Sequence, residues 1–201
     1  MNTQANESVQ RGKTSGVDPK VLRLVESAVM LGLATALSMV KLFQMPMGGS
    51  VTLCSMLPVL LIGYKYGPRW GSLTGLTYGV IQLLLDLGAA LSWGMSPKAL
   101  AVSFFLDYIA AFTVLGLAGL YGKGLKRYVA GMGTAVALRF VCHVVSGTTV
   151  YASAVPAEWQ SRGAFLYSIA YNGSFLLPDF AICLAVALMI YSPMKRFLET
   201  A

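Results

Sequence analysis

The sequence predicts an all-α membrane protein: a six-transmembrane-helix bundle with both termini in the cytoplasm. Three observations predict it. Of 201 residues, 56% are hydrophobic and only 11% charged, where soluble domains carry roughly 25% charged residues. Six apolar stretches, several near or above the ~20 residues that cross a bilayer, are separated by Pro/Gly-rich or basic breaks. The basic residues also fall unevenly. Eleven, among them Lys65, Arg69, Lys123, Lys126 and Arg127, lie on the tails and on the loops after the second and fourth helices, against three (Lys41, Lys98, Arg162) on the opposite loops. The positive-inside rule therefore puts both tails in the cytoplasm. The net charge of +7 is then a topology signal and a preference for anionic lipid, not a nucleic-acid footprint.

In chain order, residues 1–20 are polar and without apolar periodicity, so they read as a disordered cytoplasmic tail with no cleavable signal peptide. Residues 21–201 form the bundle. The first helix spans Val21 to Phe43, with Asp18 or Ser15 as its cap. Ala28, Gly32 and Ala36 recur every four residues on it, a small-residue face suited to close helix approach in lipid or to packing inside the bundle. Gln44 to Ser50 reads as a Pro/Gly turn. The second helix, Val51 to Tyr64, is short for a span, and Pro58 is expected to kink it. The third runs from Arg69 to Leu87, the fourth from Ala99 to Tyr121 and the fifth from Tyr128 to Tyr151. The sixth runs from Gly163 to Tyr191, with a kink expected at Pro178. Cys54, Cys142 and Cys183 lie in apolar runs without a CxxC pair, so neither a disulfide framework nor a metal site is indicated.

Polar groups within a span are expensive and mark candidate sites. Rise per residue puts Asp107 about 13 Å, and His143 about 12 Å, from the outer ends of their helices. Tyr167 and Asn172 come at about 6 and 13 Å on the sixth helix. An acid, an imidazole, a phenol and an amide thus share the outer half of the bundle, beneath Trp93, Tyr151 and Trp159. The set suits a small, flat, cationic ligand: the carboxylate opposes its charge, the rings face a cation, and imidazole and amide hydrogen-bond a heterocycle. An internal Arg139–Asp107 ion pair is the competing account of the same residues.

At these residues the sequence resembles the thiamine-specific substrate-binding (S) components of energy-coupling factor (ECF) vitamin transporters. The resemblance rests on Gly48-Gly49-Ser50-Val51-Thr52-Leu53, on Asp107-Tyr108 followed by Ala111-Phe112, on Arg139-Phe140 with His143 and Gly147, and on Tyr167 with Tyr171-Asn172. It implies a six-helix bundle in a prokaryotic cell membrane that binds thiamine, or a close thiamine relative, at its outer face. It further implies a transmembrane coupling protein and two cytosolic ATPases as partners. By the same resemblance Asp107 stands where the family usually has glutamate, Tyr108 is the tyrosine that follows it, and His143 is the ring-stacking histidine. Tyr151 stands where a tryptophan is common, and Tyr167 with Asn172 is the pair that hydrogen-bonds the pyrimidine. The family's tryptophan near the first outer loop has no counterpart; Phe43 is the nearest aromatic. Ala28, Gly32 and Ala36 resemble the motif that docks the coupling protein.

No GxxxxGK[ST] phosphate loop is present, so an active transporter of this sequence draws on a partner's ATP hydrolysis or, as a solitary vitamin transporter, on an ion gradient. An intramembrane enzyme using His143 and Asp107 is the rival class. It lacks HExxH, GxSxG and Cys–His signatures, and no cofactor or catalytic set is expected.

Overall fold

The structure, a computed structural model, describes residues 18–46 and 48–200. Most of the predicted disordered tail lies outside the described residues. Its last two residues, Pro19 and Lys20, already belong to the first helix, α1 (Pro19–Met39), capped by the Asp18 carboxylate on the Lys20 N–H at 2.8 Å. A two-stranded antiparallel hairpin follows, β1 (Lys41–Gln44) with β2 (Ser50–Thr52). Then come α2 (Leu57–Tyr66), α3 (Pro68–Ser92), a helix α4 that runs continuously from Pro97 to Gly119, α5 (Leu125–Thr149) and α6 (Gly163–Glu199). Two short 3₁₀ turns, Ala152–Ala154 and Ala157–Arg162, link α5 to α6.

Among the described residues the fold is thus six helices, of which five are long and apolar enough to cross a membrane. The exception is α2, 10 residues long and buried over Leu57–Lys65. It begins six residues later than the sequence suggested, because Ser50–Thr52 is extended and Cys54 turns the chain at φ +62°. Pro58 does not kink α2; it sits in the first turn, where a missing N–H leaves nothing unpaired. Likewise Lys41–Phe43, expected as the end of the first helix, is strand, since Gly48 and Gly49, both at φ +85°, let the chain double back on itself. At the other end of the chain α6 reaches Glu199, passing both Pro178 and Pro193 without ending. Neighbouring helices can satisfy the carbonyls that such prolines free.

The core is drawn tight by glycine. A Cβ on Gly116 would meet the Gly71 and Ser72 backbone, and one on Gly63 would lie 2.5 Å from the Gly116 carbonyl oxygen. At this contact α4 is wound as a 3₁₀ helix over Val114–Gly119. Farther up, over Phe104–Ala110, α4 is a π-helix.

Polar bonds hold α1 to the bundle along one stripe. Trp70 Nε1 donates to Ser27 Oγ at 2.8 Å, the Tyr78 hydroxyl to the Ala34 carbonyl at 3.1 Å and Gln82 Nε2 to Ser38 Oγ at 2.9 Å. At 100° per residue, Ala28, Gly32 and Ala36 lie roughly 140° round the helix from that stripe. All three are exposed, and nothing lies within 4 Å of a Cβ placed on Gly32. The small-residue face is therefore not used for packing inside this bundle.

Both described ends of the chain meet at one end of the bundle. Near the start of α1, Glu26 pairs with the buried Lys65 at 2.6 Å. Lys123, in the turn after α4, donates to the carbonyls of Tyr64 and Lys65 at 2.8 Å and of Leu198 at 3.0 Å, so one ammonium closes the C-terminal ends of α2 and α6.

Candidate functional site

At the opposite end the bundle opens into one cavity of about 380 Å³. It exists because the chain between α1 and α2 is not helical. Ser50, Thr52 and Ser55 line the space beside the N-terminal end of α2. The hairpin covers it, held by the Tyr171 hydroxyl on the Gly48 carbonyl at 3.0 Å and by Asp179 Oδ1, which accepts from the Thr52 N–H at 2.8 Å and the Thr52 hydroxyl at 3.0 Å.

All six predicted ligand residues, Asp107, Tyr108, His143, Tyr151, Tyr167 and Asn172, line this cavity. Asp107 sits in the π-helical stretch of α4, a departure common at functional sites. Its Oδ1 meets His143 Nδ1 at 2.9 Å, and its Oδ2 accepts from Ser103 Oγ at 2.8 Å and Ser146 Oγ at 2.5 Å. The internal partner of Asp107 is thus His143; no ion pair joins it to Arg139. His143 Nε2 is buried and has no partner among the described residues. The Tyr151 hydroxyl shares a 3.0 Å hydrogen bond with Ser103. Burial pushes its phenol up to about 12, so it stays neutral at physiological pH.

On α6, Asn172 Nδ2 donates to the Ser168 carbonyl at 2.9 Å and to Ser168 Oγ at 3.1 Å. Its Oδ1 keeps its acceptor capacity among the described residues. Gly147 makes this possible. A Cβ there would overlap Ser168 Oγ and come within 3.5 Å of Asn172 Nδ2. Tyr167, Tyr171 and Phe175 follow at four-residue spacing and form a ladder of rings, with centroids 5.8 and 6.2 Å apart. Phe175 ends the ladder against the His143 ring at 6.1 Å. Trp159 stands behind Tyr167 at 5.6 Å and outside the cavity wall.

Sequence reasoning passed over several wall residues. Phe175 follows from the four-residue ring spacing once Tyr167 and Tyr171 are chosen. Asp86, which accepts from the Tyr108 hydroxyl at 3.3 Å, and Asp179 both line the cavity. Asp179 adjoins the expected kink at Pro178, and Asp86 falls near the expected end of the third helix. Phe43 is exposed and absent from the wall; the rim aromatic beside the hairpin is Trp93, 6.2 Å from Tyr151 and 3.2 Å from a Cβ placed on Gly48.

Apolar helices of spanning length around a cavity walled by both polar and aromatic side chains define a multi-pass membrane protein built around a small-molecule site. Residues 24–199 match the thiamine transporter protein family, and the chain belongs to that family. It is 30% identical over 196 residues to the thiamine transporter ThiT of Bacillus subtilis (strain 168), covering 90% of this chain and 96% of that protein. Its fold matches a solved structure of ThiT from Listeria monocytogenes with a TM-score of 0.69, over 92% of this chain and all of that one, at 22% identity. The family is one of transporters, not of enzymes.

Proposed function

We propose that this chain is the membrane-embedded thiamine-binding component of a vitamin uptake system. The observation that carries the reading is the charge and shape of the cavity. Three carboxylates (Asp86, Asp107, Asp179) and two cations (Lys41, Arg139) line it; with His143 counted neutral, that leaves one formal negative charge. One singly charged cation balances it. A flat heterocycle has a ring ladder to lie against, an imidazole acceptor at His143 Nε2 and an amide acceptor at Asn172 Oδ1. Family membership and the name of the Bacillus relative point to thiamine as that cation.

A prokaryotic cell membrane is the setting this reading implies, with six passes. The extended Ser50–Thr52 and the helical Leu57–Tyr66 together complete the second pass, about 10 Å of strand and 15 Å of helix. Six passes put both tails on the cytoplasmic side, as the basic residues favour, and open the cavity outward.

The exposed Ala28, Gly32 and Ala36 face is the surface for a transmembrane coupling protein, which two cytosolic ATPases drive. The absence of a phosphate loop in this sequence supports that division of labour. Uptake of labelled thiamine separates the alternatives. Cells carrying this chain with a coupling protein and two ATPases accumulate thiamine, and cells carrying the chain alone do not. Accumulation by the chain alone, abolished by an ionophore, would favour an ion-coupled solitary transporter.

A further inference from the structure

The end of the bundle away from the cavity holds an arginine without an anion. Near the start of α1, Arg23 lays its guanidinium over the Trp70 ring of α3, with Cζ 4.0 Å from the centroid. The ring is fixed by its own Nε1, which donates to Ser27 Oγ at 2.8 Å. Nε of Arg23 is buried and has no hydrogen-bond partner among the described residues. The acids of this corner are engaged elsewhere. Glu26 takes Lys65 and the Tyr66 hydroxyl, both at 2.6 Å, and Asp18 caps α1 on the Lys20 N–H.

Further cations surround the stacked pair. Lys20 lies about one turn before Arg23 on α1, and Arg69 directly precedes Trp70 on α3; both are exposed. Lys20, Arg23, Lys65 and Arg69 against Asp18 and Glu26 leave two positive charges at the seam between the helices. Arg69 also heads an apolar stripe. Leu73, Val80 and Leu84 follow it at helical spacing on one face of α3, and all three are exposed. Because α3 is a spanning helix, that face meets acyl chains.

The two features together define a ligand. A guanidinium only donates, and its planar fork matches phosphate oxygens. The apolar stripe asks for a hydrocarbon tail on the same molecule. A free phosphate has no tail, and a zwitterionic lipid leaves the excess charge unbalanced. We infer that the seam between α1 and α3 is a binding site for an anionic phospholipid, its phosphate held by Arg23 and Arg69 beside Lys20 and an acyl chain lying along Leu73, Val80 and Leu84. Such a lipid ties α1 to α3 where the helices themselves grip weakly, since the buried residues of α1 are Ser27, Ala34 and Ser38, all small. In the orientation proposed above, the seam meets the cytoplasmic leaflet, whose surface is negative.

Native mass spectrometry of the full chain in a neutral detergent tests this, with titration of dioleoyl phosphatidylglycerol or dioleoyl phosphatidylcholine. The wild-type protein retains one phosphatidylglycerol and binds it roughly 10- to 30-fold more tightly than phosphatidylcholine, the difference expected for two uncompensated basic residues. Arg23→Gln loses most of that preference, and Arg23→Lys keeps part of it. Lys126→Gln, which removes the same charge from the start of α5, keeps it in full. Excess inorganic phosphate does not displace the lipid. Equal retention of the two lipids by the wild-type protein overturns the site. An unchanged preference in Arg23→Gln does so too, as does an equal loss in Lys126→Gln, which would mean attraction by net charge alone. Displacement by inorganic phosphate overturns the lipid in favour of a soluble phosphate. Where Arg23→Gln does not fold, Arg69→Gln takes its place, with a reduced preference expected and an unchanged one overturning the site.

Discussion

Asp107 Oδ1 stands 2.9 Å from Nδ1 of His143, and the other ring nitrogen, Nε2, is buried without a partner among the described residues. This pair ties α4 to α5 at the cavity wall. With the carboxylate ionised, Nδ1 is the donor, and the tautomer is fixed so that Nε2 carries a lone pair. Ser103 and Ser146 hold the second carboxylate oxygen in place. In the proposed binding mode Asp107 has two effects at once: it orients an acceptor for the ligand and leaves a negative charge beside a cation.

Asp107→Asn separates these effects, because it keeps the shape and removes the charge. Losing one partner of a buried charge pair typically costs about 2–5 kcal/mol, or roughly 30-fold to several thousand-fold in affinity for thiamine. An uncharged analogue of the same outline should lose at least about tenfold less. Calorimetry with both ligands on both proteins reads the difference. Equal losses, together with a lowered melting temperature of the ligand-free variant, would leave Asp107 a structural group only.

Gly32→Leu bears on the outward face of α1. Nothing lies within 4 Å of a Cβ at this position, so the larger side chain costs the isolated protein little. The expected outcome is normal thiamine affinity in the purified variant and loss of uptake in cells. A variant that assembles normally but no longer binds would count against a docking role for Ala28, Gly32 and Ala36.

Gly116→Val probes the packing that shapes the bundle. The new Cβ would strike the Gly71 and Ser72 backbone, which cannot move as a flexible side chain can. Overpacking typically costs about 1–3 kcal/mol, and occasionally more. The variant should show a lower melting temperature and poor yield, measured by fluorescence-detected size exclusion. Wild-type behaviour would mean that α3 and α4 are not in backbone contact here.

Topology is open to labelling. With Cys54, Cys142 and Cys183 replaced, a cysteine at position 123 should react with a membrane-impermeant maleimide only after lysis, and one at position 158 in intact cells. Reaction at 123 in intact cells would invert the proposed orientation.

Much of this was legible in the sequence, and the parts that were not have physical reasons. Asp107, His143 and Asn172 were legible because each is costly in a lipid-crossing helix and their depths agree. The five long helices were legible from hydropathy. The hairpin was not: Leu42 and Phe43 continue the apolar character of the helix before them, and only the backbone of Gly48 and Gly49 turns the chain back. The late start of α2 follows from the same turn. The π-helical turn at Asp107 has no Pro or Gly to announce it. The competing pairing of Arg139 with Asp107 rested on spacing alone. Spacing could not reveal that Ser103 and Ser146, two unremarkable serines, complete the acid's shell with His143 and leave the arginine over Phe112.

The cavity is proposed to hold one thiamine cation. Native mass spectrometry of the protein purified from cells grown with thiamine decides this. A single bound adduct of thiamine's mass is expected, released on unfolding and absent from the Asp107→Asn protein. An adduct of another mass, or a wild-type protein that stays empty after incubation with thiamine, would contradict it.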